Sequence, residues 1–384
     1  MKTLAREWAR LRASPFDLAM LSWLPLLMGL ILIWTFAAGL PTRLPIGILD
    51  SDHSALSRQL TRMLDAAPGL QLAAQFIDEG EMQRALRAGH VYGALVIPAG
   101  MSRDIKQGRA AQLALLHNAQ FATHSGLIQK DVRTVVGTLS AGIEIISREK
   151  RGQSPLAAQQ GFEPLRTNLQ AIYNPTLNYQ QFLAAVLLPA LLHMLAMVAG
   201  AWSVGSELRD ATAPKWLAGT KGQVLPALLF KLLPAMLLLN GVNLILWLLM
   251  QQLGLVPAAA LPILLGLHAL MLAMYWGLGG FVALASSSLR MALSAAGFIT
   301  APAFAFSGLA FPLMAMPPGA RAWAESLPLT WVLEAQVGLL QQGRAAAALV
   351  PLAGWLSLAA ALLLLACAAL LKRAAVTPAC WGKR

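Results

Sequence analysis

LAMLSWLPLLMGLILIWTFAAGLPT, residues 18–42, carries no charged side chain, and its reading decides the class of fold. Water satisfies no backbone hydrogen bond inside a bilayer, so only a helix or a closed barrel crosses one. The run is Leu-rich and lacks two-residue alternation, which selects a helix, and about 20 apolar residues suffice for a crossing. A basic start before it and Ala37-Ala38-Gly39 near its end imitate a secretory signal. A signal's apolar core spans only about 7–15 residues, so an uncleaved anchor is expected.

Further uncharged runs follow between Arg166 and Glu207, from Leu232 to Leu289, from Met291 to Ala320 and from Ala345 to Leu371. Of the 384 residues 57% are apolar and 12% charged, against about 25% charged in an average soluble domain. The spacing predicts transmembrane helices over 17–42, 181–204, 224–250, 258–285, 291–311 and 348–371. The expected fold is a polytopic α-helical membrane protein of six transmembrane helices, with an extracytoplasmic α/β domain inserted between helices 1 and 2.

A net charge of +12 invites a nucleic-acid reading, but the distribution of the charge argues against one. Lys2, Arg6, Arg10 and Arg12 precede the first helix. Arg209, Lys215 and Lys221 follow the second, Arg290 separates the fourth and fifth, and Lys372, Arg373, Lys383 and Arg384 follow the last. With six alternating helices all of these fall on one side, the positive-inside pattern, so both termini are expected in the cytoplasm of a bacterial inner membrane. Residues 1–16 read as an interfacial helix: Leu4, Trp8 and Leu11 form an apolar stripe, opposite Lys2, Arg6 and Arg10. Such a face suits anionic lipid headgroups. Cys367 and Cys380 lie outside the large polar segment, which must be stable without a disulfide.

That segment, 43–178, alternates strand and helix patterns. LPIGILD (44–50), LQLAAQF (70–76), VYGALVIP (91–98) and AQLALLH (111–117) read as strands. Helices are expected over 53–66, 79–88, 102–107 and 121–150, and 151–178 as an irregular return to the membrane. Asp50-Ser51-Asp52-His53-Ser54 lacks the Gly and Glu of a calcium loop at the required places, so helix capping is the expected role. Residues 179–384 hold the remaining helices, with an outer re-entrant region over 312–345 marked by Pro312, Pro317, Pro318 and Pro328, and a tail over 372–384.

No phosphate-cradling loop, metal spacing or nucleophile with its base is present in the sequence, so no cofactor is expected on this chain and an enzyme reading starts weak. Polar residues inside the spans include His193, Asn240, Asn243 and His268; helix–helix hydrogen bonding is their ordinary role. Asn240 and Asn243 share a helix face and, with Ser307, are candidates for lining a pathway. The loop ELRDATAPKWL (207–217), inside a cytoplasmic stretch 205–222, repeats Leu208, Thr212 and Trp216 every four residues. A short amphipathic helix there would dock a soluble partner.

These residues resemble the ABC-2 type permeases, the membrane subunits of a class of ATP-binding-cassette exporters, over nearly the whole chain. LPIGILDSDHSALSRQL (44–60) and GALVIPAGMSRDIKQGRAA (93–111) are similar to the extracytoplasmic domain of the drug-efflux-like branch. Glu207 followed by Thr212 resembles the family's coupling-helix loop, while Ser307-Gly308, Phe311-Pro312, Met316-Pro317 and LPLTWVLE (327–334) resemble its outer re-entrant region. Ala211 and Pro214 depart from the family pattern, and Pro214 shortens or kinks the helix. The resemblance implies an exporter of amphipathic, drug-like molecules that pairs with a second permease subunit, as homodimer or heterodimer. ATP is then hydrolysed on a separate ATPase subunit, with Glu207, Leu208, Arg209, Thr212 and Trp216 at the coupling contact, and a periplasmic adaptor is a further expected partner. Lipid or polysaccharide export is the rival within transport. A membrane sensor with an extracytoplasmic ligand-binding domain is the rival outside it, though the inner-side segments are short for an output domain.

Overall fold

The computed structural model describes residues 2–156 and 178–382. It divides into two compact units, one of Met1–Gly39 with Ala171–Arg384 and one of Leu40–Gln170. Most of the expected return segment, from 157 to 177, lies outside the described residues, as do the basic Lys383 and Arg384.

The smaller unit is an α/β domain. Its strands are β1 (Leu44–Asp50), β2 (Leu70–Phe76), β3 (Gly93–Ile97) and β4 (Ala114–His117), in the order β2-β1-β3-β4. The first three are parallel, and β4 runs antiparallel to β3. Three helices join them, α4 (Ala55–Asp65), α5 (Glu79–Arg87) and α6 (Met101–Lys106), and α7 (Ala122–Lys150) follows β4. Ser54 and Asp78 start α4 and α5 by accepting from the backbone N–H groups of Ser57 and Glu81, which satisfies donors that a helix leaves orphaned at its first turn. Ile46, Ile48, Leu60, Leu64, Ile128 and Val132 fill one core. Leu49, Phe76, Met82, Val91 and Ala94 form a second, smaller one.

The larger unit begins with α1 (Lys2–Ala13), α2 (Pro15–Leu21) and α3 (Trp23–Thr35). A π-helical turn, Gln180–Ala184, leads into α8 (Ala185–Arg209), and Gln180 Nε2 donates to the Ile33 carbonyl at 3.0 Å. There follow α9 (Ala213–Ala218), α10 (Val224–Gln252), α11 (Leu261–Ser286), α12 (Leu289–Thr300), α13 (Pro318–Ser326), α14 (Pro328–Leu340) and α15 (Val350–Val376). Among the described residues five helical stretches are long and apolar enough to cross a membrane: Pro15–Thr35, Gln180–Arg209, Val224–Gln252, Ala258–Ser286 and Ala346–Val376.

The span expected over 291–311 is helical only through Thr300. At 1.5 Å per residue such a helix covers roughly 18 Å, short of a hydrocarbon core of about 30 Å. Pro302 has no N–H to continue the ladder, and turns and bends run from there to Phe311. In the region expected to be re-entrant, Leu329, Thr330, Val332, Leu333 and Gln336 of α14 are buried in the main core.

The closest helix pair is α8 with α11. A Cβ placed on Gly200 would strike the Trp276 carbonyl, and one on Gly279 would strike the Met197 carbonyl. Lipid offers no hydrophobic drive between helices, so two glycines that let backbones approach are what this contact requires.

Candidate coupling site

Lys231 lies two turns into the apolar α10, and its side chain is fully buried. An isolated ammonium there would be expensive, so the surrounding residues must supply opposite charge. They do. Its Nζ donates to Glu7 Oε1 of α1 at 2.7 Å and to Glu207 Oε1 of α8 at 2.5 Å. Glu7 and Glu207 are only 1% and 3% exposed. Arg6 Nη2 donates to both oxygens of Glu207, at 2.6 and 2.8 Å, and Arg10 Nε donates to Glu7 Oε2 at 3.0 Å. Arg10 also faces Asp17 at 3.6 Å, and Trp202 Nε1 donates to that same carboxylate at 3.2 Å. Arg6, Arg10 and Lys231 thus balance Glu7, Asp17 and Glu207 within one cluster, which joins α1, α2, α8 and α10.

The coupling loop is fastened to this cluster. Thr212 Oγ1 donates to Glu207 Oε2, and the Thr212 N–H donates to the Glu207 carbonyl at 2.9 Å. Pro214 falls in the first turn of α9, where a missing N–H costs nothing, so it starts the helix rather than kinking it. Trp216 is completely buried: its Nε1 donates to the Ala227 carbonyl at 3.1 Å, and Lys231 Nζ lies 5.6 Å from its ring centroid. The expectation of Trp216 as an anchor offered to a partner is therefore corrected. Its ring holds α9 on α10, and the face left open carries Ala211, Lys215, Ala218, Lys221 and Gln223. Leu208 is buried as well, while Arg209 bonds its neighbour Asp210 at 2.8 Å and stacks 5.2 Å from the Trp202 ring. The hydrogen bond from Arg209 holds the Asp210 carboxyl below its ordinary range.

The N-terminal helix, expected to lie on the membrane surface with Arg6 and Arg10 on its headgroup-facing side, turns those arginines toward the protein instead. Thr3, Glu7 and Leu11 are its buried residues, with Arg6 and Arg10 reaching into the cluster and Trp8 half-buried. The opposite end of the chain arrives at the same place, where the Gly382 N–H donates to the Leu208 carbonyl at 3.0 Å. Beside the cluster an apolar slot of about 220 Å³ runs between Phe16, Met20, Leu195, Ala199 and Leu293 and ends at the Arg10–Asp17 pair.

The candidate pathway residues are not brought together as one group. Asn243 is buried, and neither end of its amide has a hydrogen-bond partner. Asn240 is half-buried and donates to the Met236 carbonyl, and Ser307 donates to the Phe304 carbonyl. At the far end of α8 a separate network forms: His268 Nε2 lies 3.0 Å from Gln336 Oε1, and Gln336 Nε2 donates to the Ala185 carbonyl. Among the described residues no group of His, Cys, Asp and Glu could hold a metal ion. Sequence reading missed Lys231, which stands at the edge of an uncharged run, and Glu7, which belongs to neither the apolar stripe nor the basic face of α1. The available signal was a lone lysine inside an apolar helix, with Glu207 and Glu7 among the few acids able to face it.

Apolar helices of spanning length with balanced charges buried at one end define a multi-pass membrane protein. The chain belongs to the ABC-2 family transporter proteins, whose family model matches residues 16–370. It is accordingly the membrane permease of an ABC transporter, and that family implies an ATPase subunit as partner. Comparison with curated proteins finds no match, and comparison with solved structures finds none.

Proposed function

We propose that this permease exports amphipathic, drug-like molecules outward across a bacterial inner membrane, driven by ATP hydrolysis on a separate chain. The observation that carries the coupling half of this reading is the fastening of Glu207 to Thr212, Arg6 and Lys231. A push on the exposed face of α9 reaches α1, α8 and α10 through short, buried, charge-assisted bonds, with no soft joint between. A cavity whose lining is mostly apolar and includes the Arg10–Asp17 pair supports an amphipathic cargo.

The topology belongs to the same proposal. α1, the α9 loop and the Trp381–Gly382 tail converge on Glu207–Leu208, which supports termini on one side and hence an even number of crossings. Five continuous spans give an odd number, so α12 together with 301–311 supplies the sixth. Basic residues at the Glu207 end support a cytoplasmic position for that end, and with it an α/β domain outside that serves as a docking platform for an adaptor. A second permease subunit completes the transporter.

The test is transport by inside-out vesicles that contain the permease and its ATPase. Fluorescent amphiphile should enter the lumen only with ATP, and neither ADP nor a vesicle lacking this chain should support uptake. ATP-driven uptake by right-side-out vesicles instead would reverse the direction and refute export.

A further inference from the structure

Where β2 runs beside β1, the register slips by one residue between Ile46 and Gly47, so that Ala73 is bulged out. A one-residue slip exchanges the faces of a strand. Before the bulge, Leu70 and Leu72 pack with the core under α4; after it, Ala74 and Phe76 pack with the core that contains Met82 of α5. The Phe76 ring takes the space that a side chain on Gly47 would need. Gln75, the register partner of Ile48, is turned instead to the α4 face. The result is a cavity of about 400 Å³ over Ile48, walled by Arg58, Thr61 and Arg62 of α4 and by Gln75.

The chemistry of that cavity is lopsided. Arg58 and Arg62 stand one turn apart on the same helix face, a like-charge spacing that destabilises a helix unless something sits between them. Neither has a carboxylate partner among the described residues; Arg58 only donates Nη1 to the His53 carbonyl at 2.8 Å. The one acid in the lining, Asp50, is turned into the β1–α4 connection. It accepts from the N–H groups of Asp52 and His53 at 2.9 and 3.1 Å and from Ser57 Oγ at 2.7 Å. Two guanidiniums, the Gln75 amide, His53 and the Thr61 hydroxyl, which donates to the Ser57 carbonyl at 2.9 Å and keeps its lone pairs to accept, therefore line a cavity whose volume falls in the range of small-molecule sites. It lies beside the carboxyl-terminal residues of two parallel strands, Ile48 and Asp50 of β1 and Gln75 and Phe76 of β2.

We propose that this cavity binds a phosphoryl group carried on a small polar molecule. Arginine forks match phosphoryl oxygens in pairs, and two forks on adjacent turns suit an anion with three acceptor oxygens better than a single carboxylate. Thr61 and Gln75 are placed to read the hydroxyls of the attached group, over the apolar floor of Ile48. The phosphoryl group comes from a soluble phosphate monoester or from a lipid headgroup that ends in one; both present three terminal oxygens to the arginines. The proposal rests on the α/β domain alone and stands apart from the direction or cargo of transport.

Calorimetric titration of the purified full-length protein with inorganic phosphate, glycerol 3-phosphate and dihexanoyl phosphatidic acid tests it. Saturable binding of at least one probe is expected, weakened about tenfold or more in Arg58→Gln/Arg62→Gln. Preference for glycerol 3-phosphate would name a soluble ester, and preference for the short-chain lipid a headgroup. Arg62→Lys, which keeps the charge and loses the fork, should fall between wild type and the double variant. In the unaltered protein, the bound probe should also protect Arg58 and Arg62 from phenylglyoxal, read by mass spectrometry, which removes any dependence on how the variants fold. No saturable binding of any probe, binding unchanged in the double variant, or no protection would overturn the assignment.

Discussion

Lys231, Glu7 and Glu207 show how a charge is kept inside an apolar bundle: each gains its partners from a different helix. Removing one member strands the others, which in buried pairs costs about 3–5 kcal/mol. Glu207→Ala should therefore lower the unfolding midpoint in detergent sharply, because Arg6 loses its acceptor and Lys231 keeps only one carboxylate, Glu7, of its two. Adding Lys231→Met should restore much of the loss, since Glu7 keeps Arg10 and Arg6 can turn to water. An additive double variant would mean that the three residues do not act as one cluster. Trp216 and Lys215, neighbours in sequence, should behave in opposite ways. Trp216→Ala empties a fully buried site and should cost about 3–5 kcal/mol of stability. Lys215→Glu, on the open face of α9, should leave the melting midpoint in place and lower co-purification of the ATPase. This pairing was half legible. The four-residue repeat marked α9 as amphipathic, but which side faced the protein depended on Lys231, a residue that no local pattern connects to position 216.

At the scale of elements, strands were legible because their apolar runs are bounded by turn residues: Leu44–Asp50 and Leu70–Phe76 coincide with the runs that the sequence marks. The β2 bulge was not, since alternation through Ala73 looks unbroken until the partner strand is known. The short α12 was missed for a related reason, as an uncharged run shows that a segment tolerates lipid without showing that it stays helical past Pro302. Within α7, Asp131 has no hydrogen bond among the described residues, and burial raises its carboxyl above the ordinary value, with Lys130 only partly opposing. A raised value means that the folded domain holds the proton more tightly than the unfolded chain. The associated stability is then complete below the unfolded carboxylate value of about 3.9 and is lost as pH rises through the folded one. Asp131→Asn removes the penalty for ionising. It should raise the unfolding midpoint of the domain at pH 7, with the gain shrinking toward zero below about pH 4; an equal gain at both pH values would count against this origin.

Across the whole molecule, the class was legible from charge alone, because uncharged runs and one-sided basic residues are consequences of the bilayer rather than of any particular fold. The site was legible only as a location, the 205–222 loop, because its connections run through Glu7 and Lys231, far apart in the chain. The central claim is that a soluble ATPase drives this permease by pressing on the open face of α9, with the buried charges passing the motion to the spans. The most direct measurement is photo-cross-linking in intact membranes, with benzoylphenylalanine in place of Lys215 and, for comparison, in place of Leu116 on β4 of the α/β domain. An adduct to an ATP-hydrolysing chain from position 215 and none from position 116 is the predicted result. An ATPase adduct from position 116, or none from 215 while the ATPase remains bound, would contradict it.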